Sequence, residues 1–289
     1  MVVSVLRKPA WLKVSDARSA EYLAVDRLLR QQQLSTVCSS ALCPNRGGCW
    51  RDGTAAFMIL GNLCTRNCAF CAVPSGKPAP VDHEEPARLV AAIAQLALRH
   101  VVITSVDRDD LADGGTGHFV ACVQAIRAAS LPHTPSIELL TPDFRGKEGA
   151  LATLLACRPE VFNHNMETVA RLYPQVRPAA RYAYSLQVLA QAAASGLRCK
   201  SGIMLGLGES DDEVATLLQD LRSAGVTLLT IGQYLQPTRA QHPVVRYLPP
   251  EAFQTWRSHA LSLGFQAVES HPLARSSFHA RQLLTDAHP

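Results

Sequence analysis

The sequence predicts an α/β fold on a parallel sheet, and a partial (β/α)6 barrel with N- and C-terminal extensions is the architecture it fits best. Two observations predict it: six short, nearly continuous apolar runs recur along the chain, and stretches of helical period separate them. Strands buried on both faces read as such runs. Size is the third observation, since six units in roughly 180 residues are too few for a complete eight-fold barrel of about 250. A doubly wound open sheet is the alternative. In either case a site belongs at the C-terminal ends of the strands.

The apolar runs lie at 56–60, 101–104, 136–140, 161–163, 201–205 and 228–231. Ahead of them, the first 55 residues look irregular apart from an amphipathic helix over 17–32, where Leu23, Leu28 and Leu29 share a face with Tyr22 and Val25. Leu89, Ile93 and Leu96 recur at helical spacing behind Asp82 and Glu85, which stand at capping-box separation. The clearest helix spans 210–224: Ser210 caps, Glu213 reaches back, Val214, Leu217, Leu218 and Leu221 form the stripe, and Gly225 stops it. The chain therefore divides into an extension at 1–55, a barrel at 56–235 and a C-terminal extension at 236–289.

Composition excludes several classes. With 28 Lys+Arg against 24 Asp+Glu the net charge is +4, far from the basic stripe of a nucleic-acid binder. No run of apolar residues is long enough to span a membrane. Arg7 and Lys8 follow the short apolar start, the reverse of a signal peptide, so a cytoplasmic location is expected.

Nine cysteines are present, six of them between Cys38 and Cys71. An odd total without a signal peptide argues against a disulfide framework and for a metal site. Cys64, Cys68 and Cys71 form C-x3-C-x2-C directly after the first strand. Three thiolates suit a [4Fe–4S] cluster with one iron left open to a small ligand. Zinc prefers C-x2-C pairs and a fourth ligand, which this triplet fits poorly. Cys38, Cys43 and Cys49 form C-x4-C-x5-C, in which Gly47 and Gly48 let backbone pass close to a bulky core. Alone, that triplet is open between zinc and a cluster; the second triplet downstream favours the cluster. Cys122, Cys157 and Cys199 read as buried small apolar residues.

The C-x3-C-x2-C motif after strand one resembles the radical S-adenosylmethionine superfamily, and the upstream triplet narrows the resemblance to the lipoyl synthase family. The likeness continues through TSVDRDDLADGG (104–115), ELLTPDFRG (138–146), VFNHNMETV (161–169), SGIMLGLGE (201–209), TIGQYLQPT (230–238) and RSSFHA (275–280). It implies a fold of radical S-adenosylmethionine type and insertion of two sulfur atoms at C6 and C8 of an octanoyl chain on a carrier-protein lysine. It implies two [4Fe–4S] clusters and S-adenosylmethionine as cofactors. Cys64, Cys68 and Cys71 would hold the radical-generating cluster. Cys38, Cys43 and Cys49 would hold a sacrificial auxiliary cluster, with Ser277, favoured over Ser276, as fourth ligand. A serine oxygen is a harder ligand than thiolate and less matched to iron–sulfur iron, which would ease dismantling of that cluster. The implied partners are octanoylated carrier domains of 2-oxoacid dehydrogenases and of the glycine cleavage system, an electron donor such as ferredoxin or flavodoxin, and an iron–sulfur cluster carrier. The family usually has Tyr where this chain has Phe278, which bears on the serine loop more than on the reaction.

Contacts to S-adenosylmethionine are assigned to Thr104, Asn163, Asn165, Glu167 and Gly206. Each has a plainer alternative. Asn163, His164, Asn165 and Glu167 form either a ligand-binding group or a polar turn capping a helix at Met166. Thr104, Asp107 and Arg108 contact the methionyl group or pair among themselves, and Gly206 is either an adenosyl contact or a β–α turn. His83, His100, His118, His242 and His271 have no metal-like spacing. The rival readings are a methylthiotransferase, for whose RNA-binding module there is no room, a colourless zinc-stabilised binding protein, and an iron–sulfur electron carrier.

Overall fold

The computed structural model describes residues 6–12, 20–40, 43, 45, 48, 49 and 56–287. Eight strands form one sheet in strict chain order: β1 (Ser35–Thr36), β2 (Ala56–Ile59), β3 (His100–Ser105), β4 (Ser136–Leu140), β5 (Val161–Asn163), β6 (Cys199–Leu205), β7 (Leu228–Gln233) and β8 (Ala267–Ser270). Sequential order is that of a barrel. A doubly wound sheet would reverse direction at a switch point. β1 and β8 remain the two edges, so the barrel is open.

The six apolar runs became β2–β7, all parallel. Two strands escape sequence reading. β8 continues the parallel sheet beside β7, within the segment expected to be an extension, and β1 adds an antiparallel edge of two residues on β2. β1 is too short, with two residues, and β8 too polar, with Glu269 and Ser270, to register as apolar runs.

Along each strand alternate side chains face in and out. Phe57, Ile59, Val101, Ile103, Ile137, Leu139 and Phe162 are buried against the surrounding helices. The inward set differs: Met58, Thr104, Leu140, Gly202, Met204 and Thr230 look into the barrel mouth. Below them His100, Glu138, Asn163 and Lys200 plug the interior. Lys200 Nζ donates to both Glu138 oxygens at 3.0 and 3.1 Å, and Asn163 Nδ2 donates to Glu138 Oε1 at 2.7 Å.

Helix α1 (Ala20–Gln31) buries Tyr22, Val25, Leu28 and Leu29, whereas Leu23 points to solvent at 48% exposure. Residues 17–19 of the expected helix lie outside the described residues. After α2 (Val37–Ser40), α3 (Glu85–Gln95) buries Leu89 and Ile93 as anticipated, but its capping box does not form. Glu85 turns inward instead, accepting from Leu60 N at 2.9 Å and meeting His118 Nε2 at 2.7 Å. The helix over Asp211–Ser223 has the expected box, with Ser210 Oγ accepting from Glu213 N and Glu213 accepting from Ser210 N. Among the described residues no helix is long and apolar enough to cross a membrane.

Candidate functional site

The parallel strands open at their C-terminal ends into a cavity of about 660 Å³. Cys64, Cys68 and Cys71 line it, as do Cys38 and Cys43, and Ser276 and Ser277 join them from the C-terminal loop. Cys38 sits on α2 just past the edge strand β1. Cys43 follows, its N–H donating to Cys38 O at 3.0 Å, and the Cys49 N–H donates to Asn45 O at 2.9 Å. Asn45 Nδ2 in turn donates to Leu273 O at 2.6 Å, tying the first triplet to the loop that carries the serines. Gly47 lies outside the described residues.

The loop after β2 is held on several sides. Leu60 takes a left-handed backbone, φ 68°, that a branched residue adopts only when its surroundings enforce it. Glu85 holds its N–H and Arg108 Nη1 its carbonyl, the latter at 3.2 Å. Further along, Arg66 is 9% exposed and faces three carboxylates: Asp109 at 2.7 Å, Asp143 at 2.8 Å and Asp107 at 3.3 Å. Asp107 therefore pairs with Arg66, and Arg108 with Asp110, rather than with each other.

A strap over the 234–246 segment closes the other flank. His242 N donates to Ala69 O at 2.7 Å and Gln241 Nε2 to Cys71 O at 3.2 Å. Tyr234 Oη donates to His242 O at 2.6 Å. The His242 ring, whose pKa burial lowers, faces Leu207 O at 2.9 Å through Nε2, so Nε2 carries the hydrogen.

Burial dominates the electrostatics of the second triplet. It pushes Cys64 up to about 11, with Asp107 adding to the rise, and Cys68 up to about 12 against the pull of Arg177; Cys71 is also raised. Such thiols are poor nucleophiles unaided, and a metal would have to displace their protons. Backbone N–H groups already point at the sulfurs: Asp107 N and Arg66 N at 3.3 and 3.4 Å from Cys64 Sγ, and Val73 N at 3.4 Å from Cys71 Sγ. Hydrogen bonds of this kind stabilise a ligated thiolate. Among the described residues no three His, Cys, Asp or Glu side chains converge to hold a single ion. Thiols lining a cavity suit a polynuclear cluster, whose sulfur ligands bond different irons.

The structure brings together Thr104, Asn165 and Glu167 on the cavity wall. It places Asn163 and Gly206 elsewhere. Asn163 belongs to the interior plug, spent on Glu138. Gly206 is a turn residue at φ 102°, where a Cβ would come within 2.2 Å of Gln233 Nε2 and 2.4 Å of Arg246 O. Glu209 accepts from the Gly206, Leu207 and Gly208 N–H groups at 2.7, 2.9 and 3.1 Å, so this turn binds its own carboxylate. No helix starts at Met166. Residues 165–168 run along β6 instead, with Glu167 bridging Ile203 in parallel. Asn165 Nδ2 donates to Glu167 Oε1 at 2.9 Å, and Ser276 Oγ donates to Asn165 Oδ1 at 2.8 Å. Ser276 is thereby committed, while the Ser277 hydroxyl has no hydrogen-bond partner among the described residues. Phe278 stacks on His279 at 3.8 Å and meets His271 edge-on at 5.1 Å, contacts that need no phenol hydroxyl.

Sequence reading missed Arg66, Arg177, Gly202 and Gly232. Arg177 donates to Asn165 O at 2.8 Å and lies over the Tyr173 ring, 5.4 Å from its centroid. A charged residue inside the cysteine triplet and glycines inside strands were the available signals.

A family model described as the Radical SAM superfamily matches residues 58–221. The chain is 54% identical over 286 residues to the lipoyl synthase of Nitrosomonas eutropha, covering 98% of this chain and 90% of that one. It is 55% identical over 280 residues to the lipoyl synthase of Methylococcus capsulatus, covering 96% and 86%. Among solved structures it is similar to Streptococcus suis SuiB bound to S-adenosylmethionine, with a TM-score of 0.58, 10% identity, and coverage of 73% of this chain and 48% of that one. At that identity the likeness is one of fold.

Proposed function

The chain belongs to the lipoyl synthase family within the radical S-adenosylmethionine superfamily, and from that premise we propose how its own residues divide the work. It is a sulfur-inserting enzyme that converts octanoyl groups on lipoyl carrier proteins to lipoyl groups at C6 and C8. When bound, two [4Fe–4S] clusters and S-adenosylmethionine supply the one-electron chemistry that opens unactivated C–H bonds, and the sulfur. Cys64, Cys68 and Cys71 hold one cluster; Cys38, Cys43, Cys49 and Ser277 hold the other. Thr104, Asn165 and Glu167 bind S-adenosylmethionine, while Asn163 and Gly206 support them from the plug and the turn.

One observation carries this assignment: Cys38, Cys43, Cys64, Cys68, Cys71 and Ser277 line a single cavity. Clusters held by these two triplets would share one cavity, in which an acyl chain could meet both. The protein's part is positioning and the exclusion of water. Arg66 fixes the Cys64–Cys71 loop, the strap at 234–246 covers it, and the Glu138–Lys200 plug closes the floor.

Residues 1–55 act as the auxiliary-cluster extension, 56–235 as the barrel and 236–289 as the closing segment. The carriers are 2-oxoacid dehydrogenase subunits and the glycine cleavage carrier protein, with a ferredoxin or flavodoxin as electron donor and an iron–sulfur carrier for resupply. A cytoplasmic location keeps the thiols reduced.

Anaerobic reconstitution with iron and sulfide counting tests the assignment. Wild type should take up about eight irons per chain, and a Cys38/Cys43/Cys49 triple alanine about four. Four irons in both would remove the upstream triplet as a cluster site.

A further inference from the structure

Gly202 and Gly232 stand inside strands, where glycine weakens the sheet. Neither has a left-handed backbone, so conformational freedom does not explain them. Space does. A Cβ at Gly232 would come within 2.2 Å of Ala274 O and 3.1 Å of its carbonyl carbon. One at Gly202 would come within 2.7 Å of both Asn165 Oδ1 and Ser276 Oγ.

The two glycines lie on adjacent paired strands, β6 and β7; Gly202 lines the barrel mouth, and strand alternation puts Gly232 on the same side as Thr230. Across them runs the 274–277 loop. Gln233 N anchors one end by donating to Pro272 O at 3.1 Å. Asn165 anchors the other through Ser276, and is itself held by Glu167 and Arg177.

We propose that Gly202 and Gly232 are positioning residues, a two-strand seat that lets the serine loop sink into the barrel mouth and turns Ser277 toward the auxiliary cysteines. This rests on the reading that Cys38, Cys43 and Cys49 hold a cluster with Ser277. The seat's contribution is steric. The volume that a methyl group would fill at either strand is the volume the loop occupies, so an added methyl lifts Ser276 and with it Ser277.

The test is iron per chain after anaerobic reconstitution of the full-length protein, with the electron paramagnetic resonance signal of the reduced protein recorded alongside. Wild type should hold about eight irons. Gly202→Ala and Gly232→Ala should each fall below eight toward about four, because a lifted loop loosens both Ser277 and the Leu273 carbonyl that Asn45 holds, while the signal of the Cys64, Cys68 and Cys71 cluster is kept. Ser276→Ala should stay near eight, because it deletes an anchor atom but adds no bulk. In Gly202→Ala/Ser276→Ala one of the two clashing oxygens is gone while Asn165 Oδ1 remains, so part of the lost iron should return, a non-additivity that general destabilisation would not produce.

Two glycine variants that both hold eight irons overturn the seat. So does a double variant no better than Gly202→Ala, or loss of the Cys64 cluster's signal in the glycine variants. Four irons in the wild type would instead overturn the cluster assignment beneath it, and the seat with it.

Discussion

Replacing Lys200 with Met strips the barrel interior of its one full counter-charge to Glu138. Both side chains are wholly buried, with Lys200 at 0% and Glu138 at 1% side-chain exposure. Burial by itself raises the Glu138 carboxyl, but Lys200 foremost, with His100 and Asn163, outweighs it and holds the group at about 2 against an ordinary 4.5. His100 Nε2 stands 3.7 Å from Glu138 Oε2, too far for a hydrogen bond, so its share is longer-range attraction. A depressed folded-state pKa means the unfolded chain binds the proton more tightly. The pair's stabilisation is therefore complete above about pH 4.5 and is lost as pH falls from there toward 2. The shift corresponds to roughly 3 kcal/mol, and breaking a buried pair costs about 3–5 kcal/mol. With a urea slope of about 3 kcal/mol/M, the midpoint of the cluster-free Lys200→Met protein should drop by about 1 M at pH 7. Its acid limb between 4.5 and 2 should flatten, because Glu138 is then already protonated. Lys200→Met/Glu138→Met should recover most of the loss, since paired removal leaves no unbalanced charge. A single variant whose midpoint matches wild type, or a double variant as weak as the single, would refute this account.

Three other perturbations have distinct outcomes. Arg66→Met leaves Asp143, at 0% side-chain exposure, without its cation, and should cost about 2–5 kcal/mol and lower iron retention at the Cys64 triplet, read by denaturation and iron counting. Gly206→Ala forces a left-handed backbone and two close contacts on an L-residue, so a loss above about 1–3 kcal/mol is expected in thermal melts. Ser277→Cys supplies a softer ligand; under single-turnover conditions the auxiliary cluster should persist longer and sulfur transfer should slow, and unchanged decay of its visible absorption would count against serine ligation.

The barrel was legible because β2–β7 are apolar on both faces for most of their length; of the cysteine triplets, only the C-x3-C-x2-C spacing points to a cluster by itself, and the upstream one is legible through it. What stayed hidden had physical causes. Glu138 sits inside a run that reads as apolar and Lys200 immediately ahead of another, and only the tertiary pairing of β4 through β6 reveals that they face each other. Asp82 and Glu85 had the spacing of a cap, yet a backbone N–H at Leu60 and the ring of His118 claimed Glu85 instead. Asn163 and Glu167 looked alike in one short motif, but strand alternation and a turn sent one to the plug and the other to the cavity. The edge strand β1 is legible only through its pairing with β2.

The hydrogen bond from Asn45 to Leu273 joins positions 228 apart in sequence, so the auxiliary site proposed above draws on segments far apart in the chain. During synthesis, which proceeds from the N-terminus, Cys38, Cys43 and Cys49 emerge first and wait for nearly the whole remaining polypeptide before the serine loop exists. A ribosome-bound or prematurely terminated product therefore carries the cysteines of that site without its closure. On the proposed assignment, synthesis as far as the serine loop becomes the condition for a fully ligated auxiliary site.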